Sequence, residues 1–130
     1  IFFNDPVEVP DHALRAVRMA VAMRERVATL VSKWKELGWD LELGVGIAQG
    51  DATIGAIGFE GRWDYGAIGT VTNLAARLCG EAKGGQILVS SRTAAAVKDL
   101  IEAEEVGTLT LKGLRKPVPA INVIGLKVRA

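Results

Sequence analysis

Asn73 and Arg77 are the two residues whose types and spacing suit chemistry on a phosphorylated ligand. They stand four positions apart in a run with helical apolar spacing, so they project about 40° apart around one axis. Their face is distinct from the one that carries Leu74 and Leu78. A carboxamide on the first turn and a guanidinium one turn later suit a sugar and a phosphoryl group, because the planar guanidinium offers several donors to phosphoryl oxygens. Spacing alone leaves the other reading open, two solvated polar groups on a surface helix.

The usual phosphate cradles are absent. Fifteen glycines invite that reading, but the run from Gly44 to Gly50 places Gln49 where the third glycine of G-x-G-x-x-G belongs, and no G-x-x-x-x-G-K-[ST] occurs. Gly44, Gly46 and Gly55 are instead expected at bulges or at close backbone approaches.

The elements that position the pair follow from periodicity. Asn4-Asp5-Pro6 has turn chemistry, and Asp11 offers an N-cap to a long helix whose apolar positions run from Leu14 through Val17, Val21, Val27, Leu30 and Trp34 to Leu37. Gly38 is its expected C′ residue. Leu41, Leu43, Val45 and Ile47 alternate with smaller or polar residues as a strand. Residues 52–58 and 63–69 read as a hairpin with Glu60-Gly61 at its tip. Thr70 is the expected cap of a helix over residues 71–82, ended by Gly84-Gly85. Residues 86–90 form an apolar strand, and Ser91 caps a helix reaching toward Leu100. Short strands follow, with turns at Lys112-Gly113 and over residues 117–119. Helices mixed with strands in this order imply an α+β sandwich.

Composition narrows the partners. With 49% hydrophobic and 24% charged residues in 130, the chain can bury one core and is not a disordered tail. Sixteen Lys and Arg against fifteen Asp and Glu give a net charge of +1, with no run of like charges. No broad field exists to hold nucleic acid or an anionic membrane. No stretch is apolar enough to span a bilayer, and the single cysteine, Cys79, is expected as a small buried hydrophobe in a cytoplasmic setting.

The run D-Y-x-x-I-G-x-x-x-N-L-A-A-R-L over residues 64–78 resembles the signature of class III nucleotide cyclases. Four further segments agree in order: DHALRAVRMAVAMRE, LGVGIAQGDATIGAIG, GGQILVSSRT and LKGLRKPV. Agreement at several separate places carries the resemblance further than any one motif.

The resemblance implies a ferredoxin-like-related cyclase sandwich, a mixed sheet with helices packed on it. Residues 1–130 would be a single catalytic domain lacking its N-terminal strands, with Ile1-Phe2-Phe3 as the tail of one of them. The reaction implied is conversion of ATP to 3′,5′-cyclic AMP and pyrophosphate. Asn73 would orient the ribose and Arg77 would stabilise charge developing on the α-phosphate. Lys112 would contact the terminal phosphates, although an exposed turn lysine is an equal reading of that position. Gly66, Ala67 and Ile68 match the segment that lines the purine. Glycine at position 66, where many adenylyl cyclases carry Asp or Thr, removes a side chain that would read the base, so GTP stays open behind ATP. Two Mg2+ or Mn2+ ions would find their carboxylate ligands upstream of this chain, which by itself would be inactive. A second cyclase domain, as a homodimer, would complete the site. The remaining alternatives are a non-catalytic cyclase-like regulatory or nucleotide-binding module and an unrelated ferredoxin-like interaction domain.

Overall fold

A computed structural model describes residues 1, 3–4, 8–59, 61–110 and 117–127, with backbone only at 57, 59 and 62–65. The elements are α1 (His12–Glu36), β1 (Val45–Ile47), β2 (Thr53–Phe59), β3 (Arg62–Ile68), α2 (Thr70–Glu81), β4 (Ile87–Ser90), α3 (Ser91–Val97), β5 (Ile101–Leu109) and β6 (Val118–Leu126). This is the mixed α+β arrangement the sequence implies.

The main sheet has the order β1-β4-β6-β5. β1 runs parallel to β4, and β6 is antiparallel to both β4 and β5. Its middle is β4, buried at all four positions, and a strand covered on both faces needs the continuous apolar run ILV found there. Alternation then divides the core. Ile87 and Val89 join Val17, Ala20 and Val21 of α1, Val97 of α3, Ile101 and Val123 in one cluster. Leu88 points the other way, to Leu78 of α2 and Ala120. Helices α1 and α3 therefore cover one face of the sheet and α2 the other.

Several ends differ from expectation. Asp11 does precede α1, but it is left-handed (φ 55°) and its side chain caps nothing. Gly38 behaves as expected: its φ is +86°, its N–H donates to the carbonyl of Lys35 at 3.0 Å, and Trp39 N–H donates to Trp34 O at 2.8 Å, a Schellman closure. α2 begins at Thr70, so the N-cap is Gly69, and Thr72 Oγ1 donates back to the Gly69 carbonyl at 2.6 Å. Ser90, one residue before the expected Ser91, caps α3, its Oγ accepting from Thr93 N–H.

Larger departures come from pairing. β1 covers only three of the seven alternating residues, because its sole ladder among the described residues is to the short β4. Ile1 belongs to no strand and Phe3 and Asn4 lie in a bend, with no strand beside them among the described residues. The C-terminal region holds two nine-residue strands instead of short ones, and Val118 and Pro119 belong to β6 instead of a turn. Pro119 is tolerated beyond the reach of the β4 ladder, which ends at the pair Ser90↔Ala120. The expected Lys112-Gly113 turn lies outside the described residues. α1, about 37 Å long at 1.5 Å per residue, buries only Ala16, Val17, Ala20 and Val21. Its later apolar positions, Val27, Leu30 and Trp34, are half-buried because the helix outruns the core. No described helix is long and apolar enough to cross a membrane.

Candidate functional site

The site is built where a β-hairpin runs into a helix. Among the described residues β2 and β3 pair only with each other, in register Thr53↔Ile68, Ile54↔Ala67 and Gly55↔Gly66. Gly69 then turns the chain directly into α2. Gly66, Ala67 and Ile68 thus stand immediately before the helix that carries Asn73 and Arg77. Gly55 faces Gly66 across the ladder, and a Cβ added at Gly55 would meet nothing within 4 Å. The expectation of a close approach at Gly55 fails there, and the hairpin is bare backbone at that level.

α2 is placed by β1. A Cβ on Gly46 would collide with the Cys79 amide nitrogen and the Ala75 carbonyl oxygen, and one on Gly44 would lie 3.0 Å from Ala82. Both glycines serve the close approach expected of them. With Leu78 fully buried and Leu74 packed beside it, the opposite side of α2 faces outward. Asn73 and Arg77 are both exposed on it, as their spacing requires. Cys79 is exposed, not buried: its Sγ lies 3.7 Å from the Gly44 carbonyl oxygen, just before β1, the edge strand of the sheet among the described residues.

Arg77 is not idle. Its Nη2 lies 3.1 Å from Glu81 Oε1, one turn further on. The two side chains are 51% and 41% exposed, and an exposed i,i+4 pair is worth about 0.3–0.5 kcal/mol. An anionic ligand able to take two guanidinium hydrogen bonds would displace so weak a partner.

A cleft of about 590 Å³ lies alongside β1, between α1, α2 and the hairpin. Of the predicted residues only Ala67 lines it; Asn73, Arg77, Gly66 and Ile68 do not, and Lys112 lies outside the described residues. At the cleft, Gln49 Nε2 is 3.3 Å from His12 Nε2, while Gln49 Oε1 is buried without a partner. No local pattern signals this pairing, since 37 positions separate the two residues.

Among the described residues no group of three His, Cys, Asp or Glu side chains could hold a metal ion. Asp11, at the entry to α1, stands in an exposed left-handed turn. The described residues do not fit a two-ion site.

A family model described as the adenylate and guanylate cyclase catalytic domain matches residues 2–124. Adenylate cyclase 1 of Rhizobium meliloti (strain 1021) is 34% identical over 131 residues, which is 98% of this chain and 20% of that protein. The crystal structure of a guanylyl cyclase superposes with a TM-score of 0.86 at 35% identity, over 96% of this chain and 64% of that one. The adenylyl cyclase CyaB from P. aeruginosa gives 0.85 at 34% identity, over 98% and 66%. The chain therefore spans about a fifth of the curated relatives it matches and about two thirds of these solved domains.

Proposed function

Because the chain belongs to the adenylate and guanylate cyclase catalytic domain family, we propose that it supplies the transition-state side of a nucleotide cyclase site that converts ATP to 3′,5′-cyclic AMP and pyrophosphate. The observation that carries this reading is the outward pair Asn73 and Arg77, one turn apart on a helix whose position is fixed by direct contact with the sheet. The ribose 3′-oxygen attacks the α-phosphorus, its proton passes to solvent, and the bond to the pyrophosphate oxygen breaks, releasing pyrophosphate. Asn73 hydrogen-bonds and orients the ribose. Arg77 leaves Glu81 and donates to the α-phosphate oxygens as charge builds there; a preorganised donor of this kind contributes on the order of 3–4 kcal/mol. Lys112 holds the terminal phosphates.

Gly66, Ala67 and Ile68 lie along the purine. With no side chain at Gly66, the base is read by backbone carbonyls, which accept from the 6-amino group of adenine and repel the 6-oxo group that guanine carries there, and so favour ATP over GTP. The relatives named above include both kinds of cyclase, and GTP is the second substrate to assay.

Members of this family use divalent metal ions. Mg2+ or Mn2+ would find its carboxylates outside the described residues, and we read residues 1–130 as part of a larger catalytic domain, inactive by themselves. Among the described residues the hairpin β2–β3 packs little on the rest of the chain, and a two-stranded hairpin alone is marginal in water. A second cyclase domain, in a homodimer, is the cover that this reading assigns to it.

The deciding experiment assays the native-length protein with ATP and GTP beside Arg77→Ala. Expected is a fall in cyclic AMP formation of about 10²–10³-fold with the melting temperature preserved. Unchanged turnover would remove Arg77 from the reaction, and cyclase turnover by residues 1–130 alone with manganese and ATP would refute the shared-site reading. A protein that binds nucleotide without any turnover would instead be a regulatory module.

A further inference from the structure

Arg24 on α1 directs its guanidinium entirely at backbone. Nη1 donates to the carbonyl of Val123 at 2.9 Å and to that of Gly85 at 3.4 Å, and Nη2 donates to the carbonyl of Ile124 at 2.6 Å. Among the described residues no carboxylate pairs with it. Two acceptors belong to β6 and the third to the turn that joins α2 to β4. Lysine would replace this two-nitrogen fork with a single nitrogen, which cannot occupy the Nη1 and Nη2 positions at once.

Gly85 is a junction. Its φ is +82°, and its N–H donates to Leu43 O at 2.8 Å, just before β1. The turn around it is closed by Gln86 N–H to Lys83 O at 2.9 Å and by Lys83 N–H to Gln86 Oε1 at 2.8 Å. A turn so closed transmits a pull on Gly85 to Lys83 and Ala82, where α2 ends.

α2 otherwise rests on the sheet at the Gly46 and Gly44 contacts and through Leu78 and Ala82. These are van der Waals contacts without directional preference, and charge-assisted hydrogen bonds to the turn that follows add a directional hold at the helix exit. We propose that Arg24 is a positioning residue: through the Gly85 turn it fixes the C-terminal end of α2, and thereby the placement of Arg77 and Asn73. The functional half of this inference rests on the cyclase reading. Its leverage there is large, because misplacing a reacting group by about 1 Å costs on the order of 10²-fold in rate.

The test compares Arg24→Met and Arg24→Lys in the native-length protein by amide hydrogen exchange and by kinetics. In Arg24→Met, exchange at residues 78–82 and 85–86 should rise about tenfold or more while α3, on the other face, keeps its protection. Arg24→Lys should fall between. kcat should drop about 10–100-fold with KM little changed, again with the lysine variant intermediate. Unchanged exchange at residues 78–86, or a rise shared equally by α3, would overturn the anchor. A local rise with kcat intact would overturn its positioning role. If the unsubstituted protein turned over neither ATP nor GTP, the cyclase reading would fall, and the exchange pattern would still decide whether Arg24 holds α2.

Discussion

Gly46 lies directly against Cys79: any Cβ on the strand residue would occupy the space of the helix residue's amide nitrogen. No side chain separates β1 from α2 at this point, and the outward direction of Asn73 and Arg77 follows from that contact.

Gly46→Ala should therefore destabilise the protein by about 1–3 kcal/mol or more, since the clash is with backbone and cannot be relieved by a rotamer change. Urea unfolding measures it. Gly55→Ala is the control, for that position is open; equal losses at the two sites would contradict the notch.

The Arg77–Glu81 pair should be nearly silent in stability. Glu81→Gln is expected to change the unfolding free energy by less than about 0.5 kcal/mol, less still in added salt. A thermal denaturation series against salt checks this, and a loss well above that bound would mean Arg77 is held too firmly to be released to a ligand.

Gly38 closes α1 with a positive φ. Gly38→Ala should cost about 1 kcal/mol and Gly38→Val more, while Gly38→Asn should cost least, because Asn tolerates the left-handed region. Chemical denaturation of the three variants gives the order, and a valine variant as stable as the asparagine one would exclude the left-handed closure.

Ser90 and Thr93 are both buried, with hydroxyls 3.0 Å apart, and Ser90 Oγ accepts from the Thr93 N–H at 3.4 Å. Ser90→Ala removes the cap and strands a buried hydroxyl, so a loss of about 1–2 kcal/mol is expected. Pairing it with Thr93→Val should recover part of the loss in a double-mutant cycle. Strict additivity would show that the hydroxyls do not interact.

Much of this architecture was legible locally. The 3.6-residue spacing marked α1 and α2, the tip expected at Glu60-Gly61 separated β2 from β3, and Gly38 marked the end of α1. The caps were misplaced by one residue at Thr70 and Ser91. A hydroxyl-bearing residue stood next to the true cap in both cases, and only backbone angles distinguish an N-cap from the first helical residue. The strand expected over residues 41–47 shrank to the three residues of β1, because alternation records a tendency to extend, whereas a strand exists only where another strand pairs with it.

By itself the sequence determined the element types, the family and the shared helical face of Asn73 and Arg77, because each depends on side-chain periodicity or motifs within a few turns of chain. Tertiary structure alone decided that β4 is covered on both faces, that β1 is an edge beside a cleft, and that Cys79 is exposed. It also decided that Arg24 reaches carbonyls 61 to 100 positions away. Those outcomes depend on which strands lie side by side and which helix covers which face, and a local pattern of polar and apolar residues does not encode the partner.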